Sequence, residues 1–303
     1  MCRRRHAAHA FTLAELLTVL VIAGVLLTVF VPYVLQSREQ TRRVACQSQL
    51  AGLFGALNAY AAANDQDGVL LYPRTVFDPA AAGWTAYTGA FDADPFATAP
   101  EARRTVEDVA ANDVTASLWL LVRGRYAEPA AFVCPSTYDR PDPLSDRGGE
   151  RTEPASRGNF AAPNNLSYSY ANPFGAPPDY RLSDTLPTSF ALMADMNPGI
   201  NGHDDVTAVS ADASLYDMTR ANSNNHGEAG QNVLFAAGTV EWQPTPFAGH
   251  PGSTGLRPDN IFTALQDRVL APDESPANDN PGVFGRAYGP SWVYDSYLVP
   301  ADD

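Results

Sequence analysis

The sequence predicts an α+β fold, with one very long N-terminal helix packed on an antiparallel sheet and long loops between the strands. Three observations predict it. An apolar run from Phe11 to Leu35 passes without a break into a segment with helical spacing. Short apolar stretches, some alternating with period two, recur later in the chain. Between them lie stretches rich in Pro, Gly and Asp that no regular element tolerates.

The run over residues 11–35 holds one ionisable side chain, Glu15, and its uncharged part from Leu16 to Leu35 is 20 residues long. That length lets a helix cross about 30 Å of hydrocarbon, so 11–35 reads as a transmembrane helix. Arg3, Arg4 and Arg5 precede it, and the formal net charge of the 303 residues is -14, so the part beyond the run is strongly acidic. The positive-inside rule then puts the N-terminus in the cytoplasm. The expectation is a single-pass protein of the cytoplasmic membrane with a periplasmic or cell-surface head. An acidic body repels a phosphate backbone, which excludes nucleic acid as a partner. A cleaved secretory signal fits poorly, because an h-region of about 7–15 residues ends well short of Phe30, Tyr33 and Leu35. Pro32 removes one helical hydrogen bond and should kink or loosen the helix there.

Beyond Leu35, residues Val44, Leu50, Leu53, Phe54, Leu57 and Tyr60 recur at three- and four-residue spacings, which predicts an amphipathic continuation over 36–63. One helix from Phe11 to about Ala63 follows, stopped by Asn64 to Gly68, and residues 64–303 form the extracytoplasmic head. In the head the pattern predicts a short strand at Val69–Tyr72, a surface excursion over 78–100 and a second helix over Thr105–Arg123. That helix carries Val109, Val114, Leu118 and Leu121 on one face, with Asp108 and Asp113 polar. Ala131–Ser136 reads as a strand, Tyr138–Asn165 as loop or partly disordered chain, and Leu166–Tyr170 and Ser189–Asp195 as strands. A hairpin pairs Asn232–Ala236 with Thr239–Trp242 through a type II turn at Ala237-Gly238. With Cys2 in the basic leader, Cys46 and Cys134 are either a disulfide or two free buried cysteines; both readings stand.

The segment Ala10-Phe11-Thr12-Leu13-Ala14-Glu15 resembles the recognition sequence of type IV prepilins and type II secretion pseudopilins. The resemblance implies a prepilin leader over 1–10 and a cut between Ala10 and Phe11 by the prepilin peptidase, a membrane enzyme that also methylates the new amine. Ala10 stands where the family has glycine and keeps the side chain small. Glu15 becomes the fifth residue of the mature chain, and in that family the corresponding glutamate meets the N-terminal amine of a neighbouring subunit, here Phe11. A carboxylate in a membrane helix is costly without a partner, which agrees. The alternative is a carboxylate at headgroup level with no partner. The resemblance extends to Pro32 and to a pilin-like fold.

A second resemblance lies between Asn222 and Trp242. It looks like the closing motif of planctomycete-type proteins that carry a prepilin-type N-terminus and an extracellular domain of unknown function. Their signature is an Asn-His pair, a gap of about nine or ten residues, then Asp-Gly. This chain keeps Asn225, His226, Gly230, Asn232, Phe235, Gly238 and Trp242, and has Ala237 at the aspartate and Thr239 at the histidine that often follows.

Asp195, His203, Asp204 and Asp205, with His226 and Asp217, supply metal-ligand types without a recognised spacing, against the plainer reading of solvated turn residues. Oxygen donors of this kind suit calcium, and no other cofactor is expected. His226 is expected to tie its loop to the strands through its ring nitrogens. Ser223 beside His226 lacks the strand-turn-helix context of a nucleophile, so the chain is expected not to be an enzyme. Tyr168, Tyr170, Trp242, Trp292, Tyr294 and Tyr297 read as core and strand aromatics, with a carbohydrate- or peptide-binding surface as the alternative. The leading expectation is a pilin-like or pseudopilin-like structural subunit whose partners are the prepilin peptidase, the membrane and other such subunits. A monomeric membrane-anchored binding module, with a pocket near Trp242 or Asp204, is the alternative. A secreted hydrolase, with converging histidine, carboxylate and nucleophile, comes third.

Overall fold

The computed structural model describes residues 12–65, 68–75, 77, 112–145, 149–174, 180–198, 209–251, 258–263 and 294–299. The expectations at Ala10, Phe11, 78–100, His203, Asp204, Asp205 and Trp292 lie outside the described residues. The chain divides into two units, Met1–Arg42 and Arg43–Asp303.

Helix α1 spans Leu13–Ala63 and contains Pro32 without ending there. Its start is a capping box of the form Thr-x-x-Glu. The Thr12 amide donates to Glu15 Oε2 at 2.8 Å and the Glu15 amide donates to Thr12 Oγ1 at 3.3 Å, so two otherwise orphaned helix donors are satisfied reciprocally. In the first unit the large apolar side chains from Leu13 through Leu20, Leu26 and Phe30 to Leu35 are exposed except for the half-buried Val34, and this stretch is long and apolar enough to cross a membrane.

In the second unit the same helix shows a stripe. Cys46, Leu50, Leu53, Leu57 and Ala61 are fully buried at spacings of three and four. Val44, expected in that stripe, is 63% exposed. It lies two residues before Cys46, about 200° around the helix, and so faces away from the buried side.

The described part of the second predicted helix is α2, Val114–Arg123. Asn112 has φ +62 and Asp113 is the N-cap, accepting from the Ala116 amide at 2.9 Å, so α2 does not continue back through 112. Asp113 is buried rather than a polar surface residue, and all nine residues from Val114 to Val122 are buried. A helix buried all round is a core helix, and its polar Ser117 accepts from the Thr75 amide at 3.1 Å.

Strands β1 (Tyr168–Ala171), β2 (Ala191–Asp195), β3 (Gln231–Phe235), β4 (Val240–Gln243) and β7 (Leu298–Val299) form an antiparallel sheet in the order β4-β3-β2-β1-β7. A second, two-stranded sheet pairs β5 (Phe247–Gly249) with β6 (Asp259–Asn260), and a short helix α3 covers Leu215–Arg220. Every residue of β1, β2 and β3 is buried, so β1 lacks the half-buried face that its period-two alternation predicts. The helix covers part of this sheet: the Tyr168 hydroxyl donates to Gln49 Oε1 at 2.7 Å, and Gln47 Nε2 donates to the Val240 carbonyl at 3.1 Å.

Four local expectations are corrected. Val69–Tyr72 makes isolated bridges at Val69 and at Leu71, the latter to Ser183, and no continuous strand. Ala131–Ser136 is not a strand: Pro129–Phe132 is a 3-10 turn with Pro129 in its first turn, and the Thr137 amide closes a further turn on the Cys134 carbonyl at 3.1 Å. Pro pre-sets φ for a helical turn, and a short apolar run carries no period to contradict it. The described part of Tyr138–Asn165 is ordered around one buried charge pair. Arg157 Nη1 and Nη2 donate to Asp142 Oδ1 and Oδ2 at 2.7 and 2.6 Å. The hairpin turn is also shifted. Gly238 N donates to Phe235 O at 2.8 Å and Phe235 N to Thr239 O at 2.9 Å, a three-residue Ala236-Ala237-Gly238 loop with Gly238 at φ +83. The glycine thus occupies the left-handed bulge position instead of the second place of a type II turn. A Cβ on Gly238 would lie 2.5 Å from the Phe54 ring, so glycine also lets the hairpin reach α1.

Candidate site beneath the signature hairpin

Ser223 caps the 3-10 turn Asn224–His226 by accepting from the Asn225 amide at 3.3 Å. Gly227, Glu228 and Gly230 then all take positive φ, which reverses the chain into β3 within four residues. Gly230 sits at φ +143, and a Cβ there would come within 2.5 Å of the Gln243 carbonyl and 2.7 Å of the Trp242 ring. Only glycine lets Trp242 lie against this loop. The indole meets the His226 ring edge-to-face at 5.4 Å, and the Arg43 guanidinium stands 4.0 Å from its centroid.

This packing seals His226. Its Nε2 lies 3.3 Å from Asp195 Oδ2, 3.4 Å from Asn232 Nδ2 and 3.8 Å from Cys134 Sγ. Asp195, at the end of β2, is fully buried. Its Oδ1 accepts from Asn225 Nδ2 at 3.2 Å, and Oδ2 accepts from the Asn232 amide at 2.6 Å and from Asn232 Nδ2 at 3.2 Å. A buried carboxylate needs such donors to offset its lost hydration. Cys134 is joined to Cys46 of α1 in a disulfide, which decides the question the sequence left open. One ligating atom from each of Cys46, Cys134, Asp195 and His226 lies within 4.8 Å of the other three.

The structure therefore gathers Asn225, His226, Gly230, Asn232, Trp242 and Asp195 at one place. Phe235 and Gly238 belong to the other end of the hairpin, against α1, and Ala237 there is exposed. Asp217 goes elsewhere, accepting from the Ser214 hydroxyl at the start of α3. His226 Nε2 faces side chains of β2 and β3, so the tie it makes runs through Asp195 and Asn232. Sequence reasoning did not place the two cysteines in this site. The signal was available for one of them, since Cys46 precedes Leu50, Leu53 and Leu57 at four-, seven- and eleven-residue spacings, in the buried stripe.

In its oxidised form the cluster cross-links and packs; nothing in it is open to a substrate. Ser223 is committed to capping its turn, and Cys46, Cys134, Asp195 and His226 are all buried. Among the described residues a cleft lies instead beside the end of α1, lined by Tyr60, Asn64, Leu71, Tyr72, Arg74 and Arg181 with a volume of about 250 Å³. The pocket that the binding-module reading expects near Trp242 is not where this cleft lies. Comparison with protein-family models, with curated proteins and with solved structures finds no match to this chain.

Proposed function

We propose that the protein is a pilin-like or pseudopilin-like subunit: it sits in the cytoplasmic membrane, is cut before Phe11, and assembles with its own kind through α1 while the head stands outside. The observation that supports this is α1 itself. From Leu13 to Ala63 it is one helix, apolar and exposed around its whole girth at the start and striped at the end. Uniformly apolar surface needs lipid or other helices to cover it, whereas a stripe needs one folded partner. Glu15 fits the same reading. Its Oε2 closes the capping box with Thr12, and its Oε1 takes no hydrogen bond from the described residues, which leaves it for the amine of Phe11 on a neighbouring chain. The work is mechanical, with no catalytic step assigned to any residue.

The test is the mass and N-terminal sequence of the protein recovered from membranes, followed by the variant Glu15→Ala. A chain that begins at N-methylated Phe11, and whose Glu15→Ala form is processed but gives at least tenfold less cross-linked oligomer, supports the reading. An intact leader or a cut beyond Leu35 overturns it.

One observation favours a second reading, an anchored module that binds anions. Burial, and then the charge of Arg181, lower the pKa of Arg74, so the cleft holds two guanidiniums that an anion would reconcile. Calorimetric titration with small polycarboxylates decides it: binding lost in Arg74→Gln sustains this reading, and heats equal to buffer dilution sink it.

A further inference from the structure

The sealed cluster carries more chemistry than a cross-link needs. A disulfide makes no demand for polar neighbours, yet an imidazole and a carboxylate converge on this one. We infer that, with its sulfurs reduced, the cluster of Cys46, Cys134, Asp195 and His226 is a four-coordinate site for zinc or a zinc-like divalent ion, and that the disulfide is the metal-free alternative of the same site.

The geometry is nearly in place. A tetrahedral ion with bonds of about 2.0–2.3 Å holds its ligands roughly 3.3–3.8 Å apart. His226 Nε2 is already 3.3 Å from Asp195 Oδ2 and 3.8 Å from Cys134 Sγ. The two sulfurs have to part, and every other separation among the four ligand atoms is at most 4.8 Å. The donor set of two sulfurs, one imidazole nitrogen and one carboxylate oxygen suits zinc and does not suit calcium, which takes six to eight oxygens. Supporting groups are present too: Asn225 Nδ2 and the Asn232 amide and side chain fix the carboxylate, and Trp242 packs on the imidazole. Four protein ligands with no open position describe a structural site rather than a hydrolytic one. The same burial argues against a thiol–disulfide exchange catalyst, because both sulfurs are fully buried and no substrate thiol can reach them.

The choice between the two forms then falls during folding, before the sulfurs are enclosed. In one route a disulfide-bearing oxidase takes two electrons and two protons from the thiols of Cys46 and Cys134 and is itself reduced to a dithiol. In the other, the ion displaces one proton from each thiol and takes neutral imidazole and ionised Asp195 as its remaining ligands, with no change in oxidation state. The inference is independent of the filament reading, since it involves no residue before Cys46.

The experiment uses the full-length chain in detergent, unfolded with a phosphine reductant and refolded anaerobically with Co²⁺ or Zn²⁺. The expected result is one ion per reduced chain by elemental analysis, with the intense visible absorption of tetrahedral cobalt thiolate, and none in the oxidised chain. His226→Gln and Asp195→Asn each lower the affinity at least tenfold. Near-UV circular dichroism of the buried Trp119 reports folding in every sample. A reduced chain that folds without taking stoichiometric metal overturns the inference. So does binding that His226→Gln and Asp195→Asn leave unchanged, and so does a reduced chain that metal cannot refold.

Discussion

Among the described residues the head buries two contacts between a nitrogen base and a carboxylate, and they are built for different ends. Arg157 and Asp142 meet through two parallel hydrogen bonds, with the guanidinium also 4.6 Å from the Trp119 ring and the Trp119 indole N–H donating to the Arg157 carbonyl at 3.0 Å. A guanidinium never gives up its charge, so this pair stays ionic at neutral pH and works as a buckle for an aperiodic loop. His226 and Asp195 meet through one contact of 3.3 Å beside a pair of sulfurs. Imidazole, thiol and carboxylate can all exchange a proton for a metal ion, so the second cluster has alternative states, whereas the first keeps a single state until acid protonates Asp142. Burial alone does not mark a group as functional; the ability to change does.

The largest way to break this comparison is to remove the cross-link. Cys46 and Cys134 are 88 residues apart, and the chain-entropy model gives about 4–5 kcal/mol for closing such a loop. The double variant Cys46→Ser/Cys134→Ser should lose that much in denaturant titration if it takes no metal. A loss below about 1 kcal/mol shows that the sulfurs do not close the loop.

Arg157→Met leaves Asp142 buried without its cation and should cost about 3–5 kcal/mol, whereas Arg157→Met/Asp142→Leu should recover most of it. The same pair sets an acid limit. Burial pushes the Asp142 carboxyl up, but the Arg157 guanidinium and the Ala161 and Leu144 amides outweigh this and hold it below the ordinary value of 3.8. Its contribution is therefore present above the unfolded-state value and lost as pH falls through it toward the folded one. The melting temperature should drop below about pH 4, and Arg157→Met should flatten that drop.

Asp259 in β6 sharpens the contrast with a smaller effect. Burial, and then the neighbouring charge of Asp295, push its carboxyl well above 3.8. A raised carboxyl contributes stability that is present below the unfolded-state value and lost as pH rises through the folded one. Asp259→Asn should therefore raise the melting temperature more at pH 8 than at pH 4; an equal change at both would remove the assignment. The smallest effect is expected at Ala237, where the related signature has aspartate. The residue is exposed at a turn tip, far from any need of the His226 cluster, so Ala237→Asp should shift stability by no more than about 0.5 kcal/mol.

The sequence made the long helix, the strand at 191–195 and the hairpin legible because each is a run whose period or turn chemistry is local. It failed at Ala131–Ser136, where a short apolar run has no period and Pro129 decides the outcome. It failed at Tyr138–Asn165, where order comes from an arginine and an aspartate 15 residues apart that no local pattern connects. The candidate site was legible in half: the Asn-His loop and its glycines stand together in sequence, but Cys46, Cys134 and Asp195 arrive from a helix, a turn and a strand. Only the fold juxtaposes them, and α1 is the element that brings Cys46 to the others.

The link from Cys46 to Cys134 also fixes how tension travels through the head. A pull applied between the two ends of the chain crosses from residue 46 to residue 134 through sulfur and bypasses everything between. Stretched to rupture of its fold, the oxidised protein should extend about 300 Å less than the reduced one, since 88 residues at roughly 3.4 Å each stay slack. Helix α2 and most of the head-facing stripe lie within that shielded segment, so much of the core feels no direct force.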